Sequence, residues 1–285
     1  MRMLLIAFWV AELVALGVYI RSCWPTRTRA SFFIKILCAS IFVTYGITLA
    51  VLVGRGVNVS FLQDTDTAEL SAAANTFVQF PGGGLTSRVV HLIIAALVYG
   101  WIGDVFLGLA HQIGEGKATA EEKDVALKAQ LKNKKTAANG LGVLSFILGH
   151  VLYCVAFGRA IVGYDFSLHW WSALFFLLPM VVYLFMGIQL QLGKHLVPLA
   201  VYFLAVSAMF GLSMTLAIQM WPVSRMFSLC LMVGSLFFTV SDLGLSLESY
   251  GGKRFRSAGL RVLRQVAYFT GQMAMATNIL YFYTV

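Results

Sequence analysis

Two aspartates interrupt segments that are otherwise apolar. Asp104 lies in VVHLIIAALVYGWIGDVFLGLA and Asp242 in RMFSLCLMVGSLFFTVSDLGLSL. A carboxylate in hydrocarbon is expensive, so a membrane chain that keeps two is expected to use them. Two such groups on different helices can share one proton and so supply both an acid and an anion. Other polar residues fall in the same kind of segment. His150 and Tyr153 are three apart, and Tyr268 and Gln272 are four apart, so each pair shares a helix face. Ser241 precedes Asp242, Lys35 sits a few residues into an apolar run, and Glu12 and Asn278 lie inside two more. Read without chemistry, Lys35 snorkels to the headgroups. His150 is then a packing residue, the tyrosines are interfacial aromatics, and Ser241, Gln272 and Asn278 tie helices together. An acid pair with His, Tyr, Lys and Gln at similar depth is hard to explain as packing alone.

The elements that must position these groups are membrane helices. Of the 285 residues, 59% are hydrophobic and 12% charged, against roughly 25% charged in soluble domains. Mean hydropathy is +0.82. Apolar stretches of about 18–25 residues mark spans, and eight are expected: 3–21, 31–53, 88–110, 139–161, 169–190, 195–220, 225–247 and 262–283. The fold class is therefore all-α, a polytopic membrane helical bundle forming one integral membrane domain over residues 1–285. Residues 54–87, with PGGG at 81–84, read as a long loop. Residues 111–138 read as another, carrying a short surface helix in AEEKDVALKAQLKNKK and capping-box spacing at Thr119 and Glu122.

The net charge of +9 raises the question of nucleic acid, but its distribution answers it. Loops after odd-numbered spans hold 15 Lys and Arg, and those after even-numbered spans hold 4. That asymmetry is the positive-inside pattern. It predicts odd loops in the cytoplasm, both termini outside and no nucleic-acid partner. Cys23, Cys38, Cys154 and Cys230 show no CxxC or Cys/His spacing, so neither a disulfide framework nor a zinc site is expected.

With this orientation, spans three and seven run the same way. Asp104 lies 16 residues after Arg88, and Asp242 lies 17 after Arg225. The local sequences echo each other as GDVFLGL and SDLGLSL, and the following spans echo again at Gly149-His150 and Gly271-Gln272. A weak 4+4 tandem repeat follows. Glycines at 100, 103, 108, 149, 234, 244 and 271 would let helices approach closely around the pocket.

At these residues the chain resembles the YhhN-like membrane proteins, which include the lysoplasmalogenases. The resemblance rests on Lys35 in IKIL, Asp104 in IGDVFL, and His150 and Tyr153 in LGHVLY. It continues with Ser241 and Asp242 in VSDLGL and with Tyr268 and Gln272 in AYFTGQ. These pieces come in order over spans two to eight. The chain departs from the family at Ile36, where proline often follows the lysine. The resemblance implies an eight-span bundle and hydrolysis of the vinyl ether of lysoplasmalogens, with a lysophospholipid substrate in the lipid bilayer and no cofactor. Asp104, Asp242 and His150 would then be catalytic. Lys35 would bind the substrate phosphate, while Ser241, Tyr153, Tyr268 and Gln272 would hold the ether oxygen or water. The membrane would be the bacterial cell membrane, or the endoplasmic reticulum of a eukaryote.

Two readings from other classes stand beside this one. Asp104, His150 and Asp242 could hold a metal in a lipid amide or ester hydrolase, although His91, His111, His169 and His195 fall at span ends or in loops. Intramembrane acids and a tandem repeat also suit a proton-coupled transporter, although no span is broken by a Gly/Pro pair. A lipid-binding member without activity is a further possibility, against which the retained acid pair argues.

Overall fold

The computed structural model describes residues 2–23, 29–55, 84–119, 125–190, 192–193, 196–252, 255 and 257–284. Among them the chain is all α: α1 (Arg2–Ser22), α2 (Arg29–Gly54), α3 (Gly84–Thr119), α4 (Val125–Gly163), α5 (Ser172–Gln189), α6 (Leu196–Met220), α7 (Arg225–Tyr250) and α8 (Ala258–Thr284). Each helix grows from one of the apolar runs. The outward faces stay apolar: Ile6 and Leu13 on α1 are each 58% exposed, and Phe185 on α5 is 64% exposed. Such faces would be a liability in water and are the natural surface in lipid. The chain is a multi-pass membrane protein.

Helices α1 to α7 are long and apolar enough to cross a bilayer. The eighth expected span, α8, falls short on hydropathy because it carries Arg261, Arg264, Gln265, Gln272 and Asn278. It is nevertheless the most enclosed helix, with nearly every residue from Arg264 to Phe282 buried. It packs against α7, α2, α3 and α1. A helix lined by other helices can afford polar groups that a lipid-facing helix cannot.

Two boundaries differ from expectation. Helices α3 and α4 run 36 and 39 residues, about 54–58 Å at 1.5 Å per residue, well beyond a hydrocarbon core of about 30 Å. The segment expected as a loop with its own surface helix is therefore mostly the end of α3 and the start of α4. Hydropathy registers the lipid-facing part of a helix and misses its aqueous continuation. Glu122 of the expected capping box and most of the 54–87 loop lie outside the described residues, as do Arg27, Lys194 and His195.

The packing pairs of the first half recur in the second. The contacts α1–α2, α2–α3 and α3–α4 are matched by α5–α6, α6–α7 and α7–α8, and α4–α6 is matched by α8–α2. The register recurs too. A Cβ added to Gly149 on α4 would stand 3.2 Å from the Ala96 carbonyl oxygen and 3.8 Å from the Gly100 nitrogen. Ala96 and Gly100 lie eight and four residues before Asp104. A Cβ on Gly271 of α8 would stand 3.1 Å from the Gly234 oxygen and 3.0 Å from the Phe238 nitrogen. Gly234 and Phe238 lie eight and four residues before Asp242. Each acid-bearing helix is thus held backbone to backbone against the helix that follows it. Gly271→Val is expected to destabilise the protein by about 1–3 kcal/mol, since backbone cannot move aside as a side chain can. A lowered melting temperature in detergent would show it. Gly140→Ala, with nothing within 4 Å of the added carbon, should melt at or above the wild type, since alanine favours the helix.

Candidate active site

Asp104 is 2% exposed on α3. The amine of Lys35, on the second turn of α2, lies 2.6 Å from its Oδ1. This is the distance of a charge-assisted contact. Lys35 thus points inward to an acid, where the sequence placed it at headgroup level beside a phosphate. A buried ion pair gains little net stability, but losing one member strands the other charge.

Asp242 is 4% exposed on α7, and its Oδ2 lies 3.2 Å from Nε2 of His150 on α4. The other ring nitrogen, Nδ1, sits 2.6 Å from the carbonyl oxygen of Phe146. A carbonyl oxygen can only accept, so Nδ1 must carry a hydrogen. Nε2 then faces the Asp242 carboxyl across the 3.2 Å contact, an imidazole and a carboxyl close enough to serve together in proton transfer.

A polar chain connects the two acids' surroundings. The Tyr153 hydroxyl donates to Gln272 Oε1 at 3.2 Å, and Gln272 Nε2 donates to the Tyr268 hydroxyl at 3.4 Å. Tyr268 in turn lies against Asp104 and within electrostatic range of Asp242. The hydroxyl of Tyr202, from α6, also lies close to Asp242, and its ring packs 5.6 Å from that of His150, centroid to centroid. Phe238, one turn before Asp242, packs its ring 4.8 Å from His150, 5.6 Å from Tyr268 and 6.4 Å from Tyr153, centroid to centroid. These rings pack together beside the acids. Aromatic faces are attractive to cations.

The structure brings Lys35, Asp104, His150, Tyr153, Asp242, Tyr268 and Gln272 into one buried cluster. Ser241 is buried on α7, but no hydrogen bond ties it to the acids among the described residues. Asp104 lies against Lys35 and Asp242 against His150, each partner coming from another helix. Among the described residues, no three His, Cys, Asp or Glu side chains are grouped as metal ligands.

Sequence reading missed Tyr202 and Phe238 and left Glu12 undirected. Tyr202 is the seventh residue of α6, as Lys35 is of α2, so the repeat carried the signal. Glu12 turns inward from α1, 2% exposed and within electrostatic range of Asp104. Among the described residues, neither of its carboxyl oxygens has a hydrogen-bond partner.

The site is symmetric in plan and asymmetric in chemistry. Asp104 takes Lys35 from α2 and Tyr268 from α8, while Asp242 takes Tyr202 from α6 and His150 from α4. In each case one partner comes from the preceding helix and one from the last helix of the other half.

The YhhN family model matches residues 67–279. That stretch includes Asp104, His150, Tyr153, Asp242, Tyr268 and Gln272, and Glu12 and Lys35 precede it. No curated protein and no solved structure gives a significant match.

Proposed function

Because the chain belongs to the YhhN family, we propose that this membrane protein is a hydrolase cleaving the vinyl ether of lysoplasmalogens. The reading implies odd loops in the cytoplasm and a substrate drawn from the surrounding bilayer. The observation that supports it is the buried contact of His150 with Asp242 beside a separate carboxylate paired with Lys35.

Vinyl ether hydrolysis starts with proton transfer to the alkene carbon remote from oxygen. The proton leaves the Asp242–His150 pair, and the C=C electrons form the new C–H bond. The remaining carbon becomes an oxocarbenium ion. Asp104, with the rings of Phe238 and Tyr268, would stabilise that cation. Water adds to the cationic carbon, and His150–Asp242 recovers a proton from it as general base. The hemiacetal then collapses to a fatty aldehyde and a glycerophospho-alcohol. One water is consumed, and the catalytic proton is returned. Tyr153, Gln272 and Tyr268 would orient the ether oxygen or the water.

The test is product analysis. Purified protein in detergent is given a lysoplasmalogen beside its saturated ether analogue. Free aldehyde from the vinyl ether alone is expected. A folded, monodisperse protein that releases none sinks the reading. Flux of unaltered substrate across sealed vesicles would then point to transport, and loss of another lipid's cleavage on chelation would point to metal-dependent hydrolysis.

A further inference from the structure

Glu12 is the one acid on α1, and the reaction above leaves it without a task. It belongs to the stripe Glu12, Ala15, Leu16, Tyr19 and Cys23, which recurs at helical spacing and is buried, while Val10, Leu13 and Val14 are each more than half exposed. An apolar residue at position 12 would continue that stripe. Instead α1 carries a carboxyl inward, 2% exposed, to within electrostatic range of Asp104. Cys38, one turn beyond Lys35 on α2, lies within the same range of Glu12, Asp104 and Lys35. Among the described residues, neither Glu12 oxygen has a hydrogen-bond partner. A buried polar group left unmatched is costly, and a side chain that joins no two helices does nothing within the protein to offset that cost. It calls for a ligand.

The chemistry of a carboxyl narrows the choice. A carboxylate accepts hydrogen bonds, and a protonated carboxyl both donates and accepts. A hydroxyl does both as well, so it matches the carboxyl in either form. The hydrolysis of a lysoplasmalogen brings two hydroxyls to this place. One is the water that adds to the cation. The other is the free hydroxyl of the glycerol, on the carbon next to the one that bears the ether oxygen. We propose that Glu12 is the hydroxyl-binding residue of this site, holding the attacking water or the glycerol hydroxyl of the single-chain lipid beside Asp104. The proposal rests on the hydrolase reading and extends it to a residue that precedes the stretch matched by the family model. No bond to Glu12 forms or breaks: it positions the hydroxyl, and the water still gives its proton to His150–Asp242.

Two variants separate ligand binding from support of the fold. Glu12→Met continues the apolar stripe and leaves no protein group without a partner, so it should melt in detergent at or above the wild type. Glu12→Gln keeps a carbonyl oxygen and an N–H donor at the same reach. Each full-length protein is titrated with a saturated 1-O-alkyl glycerophosphocholine and with its 2-deoxy analogue, which lacks only the glycerol hydroxyl. Aldehyde release from lysoplasmalogen is followed as kcat and KM. If the lipid supplies the hydroxyl, wild type binds the first ligand about tenfold more tightly, the advantage of one buried hydrogen bond. Glu12→Met then loses that preference and Glu12→Gln keeps most of it. If water supplies it, the two ligands bind alike, and kcat falls about tenfold in Glu12→Met at unchanged KM, with most of the rate restored in Glu12→Gln. A Glu12→Met protein that melts well below wild type would make the residue structural and overturn the proposal. So would a Glu12→Gln protein as impaired as Glu12→Met, since charge rather than hydrogen bonding would then be at work. Preference for the free hydroxyl without aldehyde release would sink the hydrolase reading and leave the Glu12 site standing. Wild-type kcat and wild-type ligand binding in Glu12→Met would sink the Glu12 site alone. No preference and no aldehyde from the wild type would sink both.

Discussion

Asp242→Asn should lower aldehyde release by roughly 10²–10⁴-fold, the usual contribution of a positioned general acid, and leave the fold intact. The reason lies in the histidine. His150 Nδ1 is held as a donor by the Phe146 carbonyl, so neutral His150 offers a lone pair at Nε2. The asparagine amide can donate to that lone pair over the 3.2 Å that now separates Asp242 from His150. Geometry and packing survive, while the transferable proton is gone. Melting temperature in detergent should stay near that of wild type, and turnover of lysoplasmalogen should collapse. Full turnover in this variant would remove Asp242 from the chemistry. Asp104→Asn should also abolish release, for a different reason: the cation loses its counter-charge while the proton donor remains.

The second large effect is on stability. Lys35→Met leaves the Asp104 carboxylate buried without its cation, a loss of about 3–5 kcal/mol for breaking a buried pair. The double variant Lys35→Met with Asp104→Asn should recover much of that loss, because it strands no charge. The measurement is thermal unfolding of wild type, both single variants and the double, read as a double-mutant cycle. A cycle with no coupling, or a Lys35→Met protein as stable as wild type, would mean that the 2.6 Å contact is energetically idle.

Much of this site was legible in the sequence because hydrocarbon penalises polar groups so heavily. Asp104, His150, Asp242 and Gln272 each stood out against an apolar background, and counting residues from loop arginines placed the acids at one depth. Depth, however, is the coordinate that sequence gives; azimuth comes from packing. Nothing in the spacing showed that α2 would turn Lys35 onto Asp104 or that α4 would present His150 to Asp242. The acids therefore read as partners of each other rather than of two different bases. Phe238 was hidden among 22 phenylalanines, since an aromatic in a membrane span is ordinary until its neighbours are known. Tyr202 was hidden for the same reason, although the repeat pointed to its place. The helix lengths were misjudged where α3 and α4 leave the lipid, because polar helix and polar loop look alike by composition.

The crossed supply of partners to the two acids has an evolutionary consequence. Imagine a half-length ancestor that worked as a symmetric pair. Its two acids would have been identical, each with the same neighbour from its own chain and the same neighbour from its twin. Such a pair cannot make one acid a proton carrier and the other a fixed anion, because any change to one is a change to both. Joining two copies in one chain lifts that restriction. Lys35 can then diverge from Tyr202, and the partner from α4 from the partner from α8, and chemistry that needs two unlike carboxyls becomes reachable from a scaffold that began with two alike.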